Sequence, residues 1–324
     1  MTKAIRIHAH GGPEVLRWES LPTPEPGPGE ALVRHEAVGL NFIDVYFRTG
    51  LYKSALPATI GMEAAGVVVA VGDGVDEVTV GDRVAYATAP IGAYATERVI
   101  AAARLVRLPD DIDFQTGAAM MLQGLTAQYL IRRTHRVSAG ETILVHAAAG
   151  GVGLILTQWA KHLGATVIGT AGDDEKCAMA KAHGAAHCIN YKKDDFVAKV
   201  KELTGGTGVP VVYDSVGKDT FIGSLDSLAP MGLMVTYGNA SGPVPPVDVA
   251  TLAAKGSLFL TRPNLATYTA KRADLENGAN ELFEVVRSGA VSIRVNQTFP
   301  LADAAKAHEA LEARRTTGST VLLP

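Results

Sequence analysis

Ala147-Ala148-Ala149-Gly150-Gly151-Val152-Gly153 follows the short apolar run Ile143-Leu144-Val145 and opens a helix-patterned stretch over residues 152–163. A strand that enters a glycine turn and starts a helix can bind a pyrophosphate, because the turn leaves backbone N–H groups at the positive end of the helix dipole. Gly150 and Gly153 match the second and third glycines of that dinucleotide fingerprint, and Ala148 stands at the first. The second glycine lets phosphate approach the backbone, and the third lets the helix pack on the strand. Ala149, Gly151 and Val152 complete the loop that would touch the phosphates. A glycine turn alone is common in α/β proteins, but here the strand before it, the helix after it and a further β-rich run at 166–170 supply the context that the motif requires.

The next turn bears on which cofactor binds. An NAD site usually carries Asp or Glu about 20 residues on, at the tip of the second strand, to hold the ribose 2′-hydroxyl. Here that strand ends neutrally at Thr170, and Ala171-Gly172-Asp173-Asp174-Glu175-Lys176 follows. Lys176 can neutralise a 2′-phosphate and Gly172 leaves room for it, which favours NADP(H). Asp173 and Asp174 could repel that phosphate; capping the helix that follows is their expected role.

A second stretch, Thr59-Ile60-Gly61-Met62-Glu63-Ala64-Ala65-Gly66, leads into the apolar residues 67–71 and sets Met62 between a glycine and an acid. A thioether is a poor ligand for zinc. The two cysteines, Cys177 and Cys188, are not spaced as ligands, and the first 120 or so residues contain none. His8 and His10 read as surface or packing residues. No bound metal is expected, and there is no nucleophile beside a base and no motif of paired carboxylates.

These groups need a scaffold. With 324 residues the chain exceeds the usual size of one hydrophobic core, so two domains are expected. Up to about residue 120 it is rich in β-branched residues, glycine and proline. The proline-rich residues 21–30 read as a turn-heavy connector, residues 31–37 alternate as a strand does, and Gly72-Asp73-Gly74 and Gly81-Asp82-Arg83-Val84 punctuate more strands, which suggests a barrel-like β unit. Helical periodicity then appears over 115–133, an apolar run over 142–147, helices over 152–163, 176–183 and 195–204, and strands over 166–170, 187–190 and 209–214. That alternation marks a doubly wound parallel sheet. Hydrophobic residues are 47% and charged residues 19%, and a net charge of −3 gives no basic face for nucleic acid or anionic membrane. No segment offers the about 18 uninterrupted apolar residues that a membrane span needs. Two cysteines without a disulfide framework fit a reduced, cytoplasmic setting.

Asn41-Phe42-Ile43-Asp44, Gly61-Met62-Glu63-Ala64-Ala65-Gly66, Gly81-Asp82-Arg83-Val84, Gly124-Leu125-Thr126-Ala127, the turn at 147–153, Tyr213-Asp214-Ser215-Val216-Gly217 and Tyr237-Gly238-Asn239-Ala240-Ser241-Gly242 occur in that order. Together they resemble the NADPH-dependent quinone oxidoreductases, the zeta-crystallin-like, zinc-free branch of the medium-chain dehydrogenase/reductases, over essentially the whole chain. The resemblance implies a GroES-like β-barrel catalytic domain (1–124 and 263–324) and a Rossmann NADP-binding domain (125–262), with a quinone or another electrophilic acceptor bound in a cleft between them. It implies a homodimer, with residues 258–262 as the last Rossmann strand and often the interface. Zinc-dependent relatives bind metal through a Cys, the His before the Glu, and a later Cys or Glu; in this chain Asn41 occupies the region of the first ligand and Met62 replaces the His.

By the same resemblance Asn41, Tyr46 and Gln123 position substrate and nicotinamide, with no dedicated acid or base. Phe42, Thr126 and Tyr129 border them on the cofactor side. Tyr191 lies near the adenosine phosphate, Ser215, Tyr237, Gly238, Asn239 and Ser241 near ribose and pyrophosphate, Asn264 and Leu265 near the nicotinamide, and Arg314 joins Lys176 at the 2′-phosphate. The resemblance also leaves a second enzyme reading, reduction of α,β-unsaturated carbonyls, and a reading from another class, a binding or structural protein that kept its nucleotide site.

Overall fold

The computed structural model describes residues 1–88 and 90–324. Strands β1 (Thr2–Ile7) and β2 (Arg17–Leu21) pair antiparallel and are followed by the long β3 (Glu30–Leu40). Helix α1 (Phe42–Thr49) starts where the Asp44 carboxylate accepts the Asn41 N–H at 2.9 Å and ends at Gly50, whose φ of 82° closes the helix in the left-handed region. Then come β4 (Ala58–Thr59), β5 (Glu63–Val71), β6 (Arg83–Ala87), β7 (Glu97–Ala101) and β8 (Val106–Arg107). Helix α2 (Phe114–Tyr129) continues in a π turn over Leu130–Thr134, so the helix expected over 115–133 is α-helical only to Tyr129.

The alternating half follows as β9 (Thr142–Val145), α3 (Gly151–His162), β10 (Thr166–Ala171), α4 (Asp174–Ala182), β11 (His187–Asn190), α5 (Phe196–Leu203), β12 (Val209–Asp214), α6 (Phe221–Asp226), β13 (Leu228–Thr236), α7 (Ala250–Ala254) and β14 (Phe259–Thr261). The chain ends with α8 (Leu265–Tyr268), α9 (Arg272–Arg287), β15 (Val295–Pro300), α10 (Ala304–Glu312) and β16 (Ser319–Leu323).

Contacts divide the chain into one unit of Met1–Leu125, Tyr268–Arg287 and Ile293–Pro324, and a second of Thr126–Thr267 with Ser288–Ser292. The first unit holds a three-stranded sheet, β2-β1-β4, and a seven-stranded one, β15-β16-β3-β5-β6-β8 with β7 on β3. Its core is apolar side chains from alternate strand positions, among them Ile5, Ile7, Val33, Val68, Val84 and Ile100. The second unit is a six-stranded sheet of order β11-β10-β9-β12-β13-β14 in which every pairing is parallel. That order is the doubly wound dinucleotide-binding one, with the nucleotide crevice at the carboxyl end of its first strand, here β9. The α/β architecture read from the alternation is therefore the one observed.

Candidate functional site

In the second unit β9 stops at Val145, earlier than the apolar run suggested, because Ala147 takes a φ of 52° and turns the chain. Gly150 then caps α3 with extended backbone and no side-chain acceptor, so no cap side chain stands in the way of a ligand at the first helical N–H groups. Gly153 is required by the fold itself: a Cβ there would lie 2.2 Å from the Ala147 carbonyl oxygen and 2.8 Å from the Ala148 Cα. A Cβ on Gly150 would come no nearer than 3.2 Å to the same oxygen, so this position answers more to what approaches from outside. Ala148, in place of the first glycine, is accommodated across the sheet. A Cβ on Gly169 of β10 would fall 2.7 Å from the Ala148 methyl, so that methyl occupies space that Gly169 vacates.

A buried polar cluster holds the loops around this turn. His146 Nε2–H donates to Ser224 Oγ at 3.0 Å, Ser224 donates to Asp214 at 2.8 Å, and His146 Nδ1 accepts from Thr170 at 2.8 Å. Burial lowers the His146 pKa and the Asp214 carboxylate opposes that shift. Asp214 also accepts from Val216 N, Gly217 N and Thr220 Oγ1 at 2.8, 3.0 and 2.7 Å, which fixes the turn after Ser215. The loop from Tyr237 to Ser241 is tied to that turn: Tyr237 N donates to the Asp214 carbonyl, Ala240 N to the Ser215 carbonyl and Ser241 Oγ to the Val216 carbonyl. Gly238 is needed there, since a Cβ would meet the Ser215 carbonyl oxygen at 2.3 Å. Asn239 lies between these anchors. The expected ribose and pyrophosphate residues therefore form one ordered loop pair.

At the end of β10, Asp173 caps α4 by accepting the Lys176 N–H at 2.8 Å, and the Lys176 ammonium lies 3.8 Å from the same carboxylate. Asp174 is the first helical residue rather than a cap; its carboxylate pairs with Lys193 and with Asn190 at 2.7 Å, which hold its pKa below the usual range. Gly172 faces Tyr191, whose hydroxyl would stand 2.8 Å from a Cβ at that position. Thr126 and Tyr129 are buried on α2. Asn264 is exposed, its side-chain oxygen accepts from Thr267 N at 2.9 Å, and Leu265 follows it half-buried.

In the first unit α1 and α2 bring Asn41, Tyr46 and Gln123 into the interior, all three buried. Tyr46 packs against the rings of Phe42, at 6.2 Å, and Tyr52, at 5.3 Å. The Asn41 amide donates to Glu63 Oε2 at 2.7 Å and accepts from Gln123 Nε2 at 3.1 Å; Ser319 of β16 donates to Gln123 Oε1 at 2.7 Å. Glu63 Oε1 accepts the Leu122 N–H at 2.7 Å. Burial drives the Glu63 pKa up to about 8 against these hydrogen bonds, and burial lifts Asp44 to about 7. Behind Asn41 runs a second chain. Tyr94 donates to Asp44 at 3.1 Å, His308 to Tyr94 at 3.0 Å, and the buried Arg48 donates to His308 and grips Glu312 with two 2.8 Å bonds. Arg314 is exposed in this unit, on a left-handed backbone with φ 58°.

Glu63, Ser319, His146 and Asp214 were not expected at the site. The available signal was a charged or polar residue beside an apolar run, such as His146 after Ile143-Leu144-Val145 or Glu63 before residues 64–71. Met62 is buried, and it and Asn41, the residues that the resemblance sets at two zinc-ligand positions, offer a thioether and an amide, which do not fit zinc. Among the described residues no group of three or more His, Cys, Asp or Glu is arranged to hold a metal ion.

Known proteins share this architecture. Residues 27–139 match the alcohol dehydrogenase GroES-like domain family and residues 151–277 the zinc-binding dehydrogenase family. A quinone oxidoreductase of Pseudomonas aeruginosa is 54% identical over the full length of both chains, and a 2-haloacrylate reductase of a Burkholderia species is 46% identical over 100% of this chain and 99% of that protein. The crystal structure of the Escherichia coli quinone oxidoreductase complexed with NADPH superposes with a TM-score of 0.98 at 48% identity, covering both chains completely. The chain belongs to the quinone oxidoreductase family of the medium-chain dehydrogenase/reductases.

Proposed function

We propose that the chain is an NADPH:quinone oxidoreductase that works without zinc. The observation that carries this is the donor set: by the resemblance, the Asn41 amide and the Met62 thioether stand where a metal-dependent relative needs thiolate and imidazole. Without a Lewis acid, the acceptor must already be electrophilic, as a quinone is, and the protein's task is alignment. Bound NADPH supplies the hydride. Gly150, Gly151 and Val152 offer N–H groups to its pyrophosphate, Ser215 and the loop from Tyr237 to Ser241 border the ribose, and Tyr191 borders the adenosine. Lys176, with Gly172 beside it and Arg314 as a second cation, answers the 2′-phosphate. Asn41, Phe42, Tyr46, Gln123, Thr126, Tyr129, Asn264 and Leu265 orient nicotinamide and acceptor.

Steady-state turnover of a panel of quinones and enals with NADPH and NADH tests this. Quinones should be reduced with NADPH preferred, and activity should survive a chelator; turnover of enals alone would sink the quinone reading. The 46% identity to a 2-haloacrylate reductase supports a second reading, reduction of activated alkenes, which would also require a proton at carbon.

We further infer a homodimer in the cytoplasm. Strand β14 is an edge of the six-stranded sheet with Phe259 62% exposed, and Met231, 71% exposed, lies on the neighbouring β13. An uncovered apolar sheet edge invites pairing with a second copy. Light scattering should give twice the chain mass and Phe259→Asp should reduce it; a monomeric wild type would end the proposal. No helix among the described residues is long and apolar enough to cross a membrane, and both cysteines are free thiols, as a reducing compartment requires. Cell fractionation tests the location.

A further inference from the structure

Glu63 is completely buried in the first unit, yet among the described residues no cation acts on its carboxyl. Its oxygens face Leu122 N–H on one side and Asn41 Nδ2 on the other, and it sits tightly enough against β3 that a Cβ on Gly39 would fall 2.4 Å from Oε2. From Glu63 the hydrogen bonds run through three side chains. Asn41 donates to Glu63, Gln123 donates to Asn41, and Ser319 donates to Gln123. Every donor in this chain points towards the carboxylate.

The same heavy atoms support the opposite direction. A protonated Oε2 donates to Asn41 Oδ1 once that amide has turned over. Asn41 Nδ2 then donates to Gln123 Oε1, and Gln123 Nε2 to Ser319 Oγ. The Ser319 proton needs another acceptor, and the Ala119 carbonyl is already 3.1 Å from its Oγ. Each amide exchanges donor and acceptor without moving its carbon frame, and the one bond that the reversed direction gives up is the Asp44 N–H to the Asn41 side-chain oxygen in the α1 capping box.

We propose that Glu63 is a positioning residue whose protonation sets the direction of the Asn41–Gln123–Ser319 chain, and with it the places of the donor and acceptor edges that Asn41 and Gln123 leave for a ligand. This rests on the reading that Asn41 and Gln123 orient the nicotinamide and acceptor. The capping-box bond from the Asp44 N–H favours the observed direction while Glu63 is ionised, and a proton on Glu63, which cannot face the Asn41 amide N–H as a second donor, drives the reversal.

The surroundings place the change within reach of ordinary pH. Burial raises the Glu63 pKa to about 8, and Asp44 on α1, whose own pKa is raised to about 7, adds like-charge repulsion. Tyr86 of β6 and Tyr94 are the other titratable groups that sense Glu63, and burial raises both out of range. Arg98 acts on Tyr86 and Arg48 on Tyr94. From α2 only the backbone N–H groups of Leu122 and Met121 reach the carboxyl.

Glu63→Gln is the informative variant. With its oxygen kept by the Leu122 N–H, its amide N–H must donate to Asn41, which locks the reversed chain at every pH. NADPH affinity of the wild type, measured by cofactor fluorescence, should step between two plateaus as pH passes through about 8. Glu63→Gln should hold the wild type's low-pH plateau throughout. A step that persists in the variant, or a variant fixed at the high-pH plateau, overturns the proposal. Should the variant not fold, the wild type still decides. The chain has five glutamines, and with side-chain ¹⁵N glutamine labelling one amide pair should shift with a midpoint near 8. If none of the five shifts, Glu63 does not set the direction. Neither readout uses a quinone, so either can fail while quinone turnover stands, and the amide signal can hold where quinone turnover is absent.

Discussion

At the scale of single residues, the acids after β10 decide how the 2′-phosphate can be met. Asp173 spends its carboxylate on the α4 cap, and Asp174 spends its own on Asn190 and Lys193. That leaves the Lys176 ammonium, 3.8 Å from Asp173, as a cation whose partner a phosphate can outcompete. Lys176→Ala should therefore weaken NADPH by roughly 1.5–3 kcal/mol, the range for hydrogen bonds to charged groups, and leave NADH nearly unchanged. Equal losses for both cofactors in binding titrations would remove Lys176 from the 2′-phosphate. Tyr46 gives a different kind of test, because its ring is held by Phe42 and Tyr52 whatever its hydroxyl does. Tyr46→Phe should cost quinone turnover less than the roughly 10²- to 10⁴-fold typical of a lost general acid. Complete loss of turnover with NADPH still bound would make Tyr46 an acid catalyst.

At the scale of elements, legibility followed the distance between partners. Strands β11 and β12 span 187–190 and 209–214, the bounds read from the sequence, and the turn before α3 is local, so single stretches of sequence sufficed for them. The chain from Glu63 to Ser319 was not legible. Its partners are 22, 82 and 196 residues apart, and no periodicity encodes which buried polar groups a fold will bring together. The early end of β9 at Val145 was hidden for another reason: alanine rarely takes the positive φ that Ala147 adopts, so residue type gave no warning. The turn also separates two roles for glycine. Gly153→Val should unfold or strongly destabilise the second unit, because the clash is with backbone 2.2 Å away that has no rotamer to escape into. Gly150→Val should leave a folded protein that no longer binds cofactor, since its near contact at 3.2 Å can relax. Thermal melts with and without NADPH separate them: a folded Gly150→Val that NADPH still stabilises would show that the pyrophosphate does not lie against that residue.

At the scale of the whole molecule, four buried titratable groups of the first unit set how stability varies with pH. Asp44 and Glu63 have folded pKa values of about 7 and about 8, raised by burial from 3.8 and 4.5. The stability they contribute is complete below the unfolded values and is lost as pH rises through the folded ones. His35 and His308 are depressed by burial from 6.5 to about 4 and about 3, so their contribution is present above 6.5 and lost as pH falls towards those values. Between about 4.5 and 6.5 the two pairs have opposing slopes and nearly cancel, which leaves the rise with pH contributed by His146 of the second unit, whose pKa burial also lowers. Above 6.5 only the acids remain, and stability should fall up to about 8 and then level off. One bound proton changes stability by about 1.4 kcal/mol per pH unit, which is enough to move a melting temperature by a few degrees. Glu63→Gln should flatten the upper part of that fall and melt higher than wild type at pH 8, leaving the Asp44 portion in place. A wild-type melting temperature that rose from pH 6.5 to 8, or a variant that kept the full slope, would mean that these two carboxyls ionise freely in the fold.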